Sequence, residues 1–257
     1  MAARLRVPGL TTIGLEQMNL SKRSRELRRA MKRLYPSLHA VVALTDADVR
    51  AYDELLGGQV RLFRIPNTVR DLAGAQADLA ARTVYAARRF RDQKGFDLLI
   101  HAYAAVAARH PDWRLRLRGT GQRRKHLESL IDELEIGNVV TLEGPAADIG
   151  TDMAEASLFV LSSRFEGFPL ILLEAMSKGM GVISFDCPTG PADIVEDHRN
   201  GILVPAKDVE ALAMLEMIED EQLRHRCAEA AVETAQRYTM EAIGPQWEEL
   251  LRTLARG

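Results

Sequence analysis

The chain has 257 residues, of which 47% are hydrophobic, 27% charged and 5% aromatic, an ordinary soluble balance with enough apolar side chain for a sizeable core. At ~150 residues per domain this length predicts one large or two modest domains. A net charge of −2 gives no global signal for nucleic acid or membrane, Cys187 and Cys227 have no spacing for a disulfide framework or a zinc site, and no apolar run approaches the ~20 residues of a bilayer span.

The first residues, MAARLRVPGLTTIG, lack the long apolar stretch of a secretory signal, so a cytoplasmic location is expected. Residues 21–36, SKRSRELRRAMKRLYP, set Lys22, Arg23, Arg25, Arg28, Arg29, Lys32 and Arg33 against the single acid Glu26. Leu27, Met31 and Leu34 recur at spacings of four and three, which puts one narrow apolar stripe under a strongly basic helix face. Such a face is either simply solvated or lies on anionic lipid or phosphates. AVVAL (40–44) reads as a buried strand, and Thr45 with Asp48 opens a helix Asp46–Leu56 that Gly57-Gly58 stops. Asp46 and Asp48 form a D-x-D pair, but acids opening a helix are accounted for by capping. QVRLFRI (59–65) is a second strand, followed by a weakly periodic connector over 67–84.

The alternation then restarts. It runs through strand 83–87, helix Gly95–Arg109, strand 114–118, helix Arg123–Leu134, strand 139–143, a short helix near 148–155 and strand 157–161. Strand 181–185, a turn CPTGP, strand 201–204 and helical segments complete the chain. Repeated β–α units with helical crossovers predict an α/β fold, a Rossmann-like parallel sheet covered on both faces. Ligands of such sheets bind outside the carboxyl ends of the strands, so the loops after strands are where chemistry is expected.

Three of those loops carry suitable groups. AARRFRDQKGF (86–96) crowds Arg88, Arg89, Arg91 and Lys94 at a strand end, and RGTG (118–121) offers a small glycine turn. SSRFEGFPLILLEA (162–175) reads as loop then buried helix, with Glu166 in the loop, Pro169 in the first turn and Glu174 inside the helix. Lys178, four residues beyond Glu174, is one partner on spacing, but an exposed pair contributes only ~0.3–0.5 kcal/mol. Glu166 has no local partner beyond Arg164. Arginine forks and a lysine point charge suit a diphosphate, and two acceptor-only carboxylates suit hydroxyls. Together they suit a nucleotide sugar. The six histidines show no ligand spacing, and no metal is implied.

The stretch from about Thr83 to Thr253 resembles the C-terminal nucleotide-sugar domain of retaining GT-B glycosyltransferases of family 4. The resemblance rests on RRFRDQKGFDLLI, WRLRLRGTGQRRKHLESLI, NVVTLEG, SSRFEGFPLILLEAMSKG, DCPTGPADIV and NGILVP, in order. LTDADVRAYDELLGGQVRLFRIPN resembles the close of the family's N-terminal domain. The resemblance implies a partial N-terminal, acceptor-side α/β domain with linker over 1–81 and a nucleotide-sugar domain with terminal helices over 82–257. It implies catalytic roles for Arg89, Lys94 and Glu166: the two cations hold the donor diphosphate, and Glu166 contacts donor-sugar hydroxyls. The amides of Gly167 and Phe168 would fix sugar and phosphate, Glu174 the ribose hydroxyls, and Gly119, Gly121, Glu143 and Gly144 would line phosphate and base. No cofactor or metal is required. Departures from the family pattern are Arg88 where a glycine usually stands, Gln17 in EQMN (16–19) where a histidine is frequent, and an N-terminal part shorter than the ~150 residues of a full domain.

The implied function is transfer of a hexosyl group, with retention, from a nucleotide sugar to a cell-envelope or lipid-linked glycan acceptor. Residues 21–36 would touch the anionic inner face of the membrane. The alternative is a truncated, inactive module that binds the nucleotide sugar. A nucleic-acid partner is not expected, because no stacking aromatics accompany the basic residues.

Overall fold

The computed structural model describes residues 10–205 and 214–256; residues 1–9 and part of the predicted C-terminal helical run, 206–213, lie outside them. Two parallel sheets are present. The smaller contains β1 (Ile13–Glu16), β2 (Ala40–Ala43) and β3 (Arg61–Arg64) in that order, with Ile13 opposite Ala40 and Ala40 opposite Arg61. Its crossovers carry α1 (Arg25–Leu34) and α2 (Asp46–Leu56). The Thr45 hydroxyl accepts from the Asp48 amide at 3.0 Å, and Gly57 ends α2 in the left-handed region at φ 62°. These are the cap and stop that the sequence signals. The stripe predicted on α1 is only partly used: Met31 is buried, while Leu27 remains 41% exposed.

The larger sheet contains β4 (Thr83–Ala87), β5 (Arg114–Arg118), β6 (Val140–Glu143), β7 (Leu158–Leu161), β8 (Gly181–Asp186) and β9 (Ile202–Pro205). All pairs are parallel, and the spatial order is β6-β5-β4-β7-β8-β9. The chain builds outward from β4 in one direction, then returns to the centre and builds outward from β7 in the other. The point of reversal lies between β4 and β7, where a crevice opens above the strand ends. Val84, Leu115, Leu117, Val160 and Ile183 face α3 (Phe96–Arg109), α4 (Arg124–Glu133) and α8 (Met214–Glu219). Tyr85, Phe159, Leu161 and Val182 face α5 (Ile149–Ala154), α6 (Leu170–Ser177) and the end of α9 (Glu221–Gln236). The predicted turn CPTGP leads into a single helical turn, α7 (Pro191–Ile194). The last helix, α10 (Met240–Ala255), leaves the large sheet and packs Ile243, Leu250 and Leu254 on Ala40, Val42 and Ile65 of the small one.

Candidate functional site

The loops that follow β4 and β7 meet at the reversal point and are sewn together. The Arg164 amide donates to the Gln93 carbonyl at 2.8 Å, the Gln93 amide group returns a bond to the Phe165 carbonyl at 3.0 Å, and the Ser162 hydroxyl donates to the Lys94 carbonyl at 3.0 Å. Arg164 forks onto Asp97 at 2.8 and 2.6 Å. Burial acts to raise the Asp97 pKa, but the Arg164 fork together with the amides of Asp97 and Leu98 outweighs it and holds the carboxyl below its ordinary value. Gly95 sits at φ 64°, and a Cβ there would lie 2.0 Å from the Ser162 carbonyl oxygen, so this approach admits only glycine. The glycine turn after β5 packs on the same loop. A Cβ at Gly119 would stand 1.9 Å from the Arg88 carbonyl oxygen, and one at Gly121 would stand 2.3 Å from that of Phe90.

Both carboxylates of the SSRFEGFPLILLEA stretch are buried, and neither takes the partner that local spacing suggests. Glu166 accepts from the Lys94 ammonium at 2.8 Å and the Ser163 hydroxyl at 2.6 Å, whereas Arg164 is spent on Asp97. Glu174 accepts from Arg70 Nε at 2.7 Å. Lys178 turns away from Glu174 and donates to the carbonyls of Ala73 and Gly74 at 3.2 and 2.7 Å; burial pushes its pKa down. Pro169 stands at the N-cap of α6, one position before the first turn.

A cleft of about 430 Å³ opens beside these groups, lined by Arg70, Arg88, Arg89, Arg118, Gly119, Thr120 and Glu174 among others. Arg70 and Arg118 are already engaged, the latter by Glu143 at 2.7 Å and Asp152 at 2.7 Å. Among the described residues the side chains of Arg88 and Arg89 form no hydrogen bond or salt bridge, although the Arg88 amide donates to the Arg118 carbonyl at 3.0 Å. Arg88 Nε is shut from solvent without an acceptor, and the residue is part of the cleft lining. Burial pushes the Arg88 pKa down, while Glu166 and Glu174 both act to raise it. This guanidinium is the electrostatic link between the two carboxylates.

Other candidates fall at the margin. Glu143 is held by Arg116 at 2.9 Å and by Arg118, and the cleft wall beyond it is made by Pro145 and Ala146 rather than Gly144. Phe168 is buried with its ring 5.7 Å from that of Tyr238, which leaves only its backbone for a ligand. Gly167 lets the loop touch the N-terminal part: its Cβ would stand 2.8 Å from the Gln17 carbonyl oxygen. Arg70 was not legible beforehand. It lies in the aperiodic connector, and only the folded chain brings it to Glu174. Ser163 carried no signal either, since a serine beside a glutamate is unremarkable until both are buried.

The family model for glycosyl transferases group 1 matches residues 75–234, more than half of the chain. An exopolysaccharide phosphotransferase of Streptomyces coelicolor is 37% identical over 223 residues, which are 85% of this chain and 24% of that protein. The amylovoran biosynthesis glycosyltransferase AmsD of Erwinia amylovora is 28% identical over 168 residues, 65% of this chain and 47% of its own. The Anabaena protein HepE, solved in complex with UDP, superposes with a TM-score of 0.85 at 25% identity over 94% of this chain and 72% of that one. The chain therefore spans less than half the length of these two curated relatives.

Proposed function

The chain belongs to the group 1 glycosyl transferases, and we propose that it forms the donor side of a retaining, family 4 enzyme of GT-B type. In this reading it takes a hexosyl group from a nucleotide sugar to an exopolysaccharide or another cell-envelope or lipid-linked glycan. The observation that carries it is the alternation of charge along the crevice. Glu166, paired with Lys94, and Glu174, paired with Arg70, both act on the Arg88 guanidinium, and Arg88 and Arg89, whose side chains have no partner among the described residues, line the cleft with Glu174. A ligand with hydroxyls at both ends and a diphosphate between them complements that order. Glu166 receives sugar hydroxyls and Glu174 receives the ribose pair, displacing the Arg70 side chain, which is 64% exposed. As the glycosidic bond breaks, negative charge develops on the departing diphosphate, and Arg88, Arg89 and Lys94 stabilise it from fixed positions without a metal. Residues 1–81 form the acceptor-side part, 82–257 the donor domain. The reaction runs on the cytoplasmic side, with the basic face of α1 against anionic lipid; no helix among the described residues is long and apolar enough to cross a membrane.

Calorimetric titration with UDP-, GDP- and ADP-hexoses tests the donor assignment. One base is expected to bind, and Glu174→Ala is expected to weaken that binding by about tenfold or more, the loss of hydrogen bonds to a charged group. Nucleotide release in the presence of acceptor then separates transfer from binding alone. No binding by any of the donors, with Glu174→Ala indistinguishable from the parent, sinks the reading.

A further inference from the structure

The N-terminal segment that follows β1 touches the Glu166 loop at several points. Gln17 presents its carbonyl to Gly167 and accepts from the Asn67 side chain at 2.8 Å, and the Lys22 ammonium stands 4.3 Å over the Phe165 ring. Between these contacts runs a chain of three hydrogen bonds. The Ser21 amide donates to Asn19 Oδ1 at 2.7 Å, Asn19 Nδ2 donates to Thr189 Oγ1 at 3.0 Å, and the Thr189 hydroxyl donates to the Glu166 carbonyl at 2.8 Å.

The direction of this chain is fixed by chemistry. A backbone N–H can only donate, so Asn19 must turn its oxygen to Ser21 and its amino group to Thr189. The Thr189 hydroxyl accepts there, and its single proton is left for the Glu166 carbonyl. Thr189 holds its place in a backbone conformation that a β-branched residue strongly disfavours, φ 60°. Glycine would adopt it freely. What glycine lacks is the hydroxyl. Gly190 in turn lets the loop press on Gly167, whose carbonyl oxygen would lie 2.8 Å from an added Cβ. Strain of this kind persists where the surrounding contacts over-determine it, and it collects at functional sites.

We infer that Thr189 is a positioning residue: together with Asn19 it makes the placement of Glu166 depend on the docked N-terminal segment. Lys94 and Ser163 hold the carboxylate end of Glu166, and Thr189 holds its backbone end. The segment that follows β1 thus reaches the sugar-facing acid from outside the nucleotide cleft, whose lining includes none of its residues. This rests on the assignment of Glu166 to the donor sugar.

The test compares two affinities, those for a nucleoside diphosphate and for the matching nucleotide hexose, measured by calorimetry with the uridine, guanosine and adenosine pairs. The parent is expected to bind the hexose form more tightly. Thr189→Gly is expected to keep the diphosphate affinity within about twofold and to lose about tenfold of hexose affinity, the scale of one hydrogen-bonding arrangement to a charged site. Its melting temperature should stay within about 3 °C of the parent, since relief of the left-handed strain offsets the lost bonds. Thr189→Ser should retain the hexose preference. Asn19→Ala should lose it, and the double variant should lose no more than either single one. Thr189→Gly that keeps the preference, or that weakens both ligands equally, overturns the inference. So does a parent that binds the diphosphate with no gain from the hexose. A parent that binds neither overturns the donor assignment, and the inference with it.

Discussion

Arg88 is the most instructive single side chain in the site. Its Nε lies buried without an acceptor, a condition that costs about 1–3 kcal/mol. Replacing it by methionine, which has a similar shape and no donor, should therefore raise the stability to urea by about 1–2 kcal/mol. The same change should weaken nucleoside diphosphate binding by about tenfold, because one of the two unpartnered cations in the crevice is gone. Equal stability together with equal affinity would remove Arg88 from the site. Sequence reading singled out Arg89, Lys94, Glu166 and Glu174 at this scale, because cations and acids at strand ends stand out against apolar runs. It missed how they pair. The four-residue spacing of Glu174 and Lys178 concerns one helix surface, but α6 is buried on nearly all sides, so Lys178 is drawn to carbonyls of the connector and Glu174 to Arg70. Burial opens partners more than 100 residues away that no local rule can see.

Among the elements, the two loops after β4 and β7 act as one because Arg164 clasps Asp97 at the first turn of α3. The pKa of Asp97 is depressed in the fold, so the stabilisation is full above its unfolded value near ~4 and is lost as pH falls through the lower folded value. Urea midpoints of the parent and Asp97→Asn should thus differ at pH 7 and converge as the pH falls below the unfolded value. A gap that stays constant across that range would show that the clasp contributes no charge-dependent stability. The elements themselves were largely legible. Apolar runs such as those of β4, β7 and β8 mark strands of a doubly covered sheet, and Thr45 and Gly57 mark the ends of α2 by backbone chemistry. β1 gave no signal because it is short and partly exposed, with Leu15 54% accessible. Its place comes from pairing with β2 rather than from its own pattern.

At the scale of the whole chain the two sheets are held by cores of different origin. The larger is enclosed by helices from its own β–α units, with continuous apolar clusters on both faces. The smaller has such a cover on one side only, where Met31, Tyr52 and Leu56 pack on Val41 and Ala43. Its other side depends on α10, which comes from the far end of the sequence. Amphipathic spacing reveals that α10 has an apolar face, but spacing carries no address, so the sheet it covers could not be read in advance. Removal of residues 240–257 should therefore act selectively. It would uncover Ala40, Val42 and Ile65 while leaving Tyr238 to hold its backbone bond to Val69 at 2.8 Å. In hydrogen exchange, the amides of β2 and β3 should lose most of their protection, and those of β4, β5 and β7 should retain theirs, because local opening follows the contacts each unit buries. Nucleoside diphosphate binding should survive to within a few-fold, since Arg88, Arg89 and Glu174 all belong to the larger sheet or its connector. The hexose preference should fall as it does in Asn19→Ala, because a loosened small sheet no longer presents Asn19 to Thr189. Uniform loss of protection across both sheets would show a single cooperative core. Full protection of β2 and β3 would show that the small sheet stands without α10.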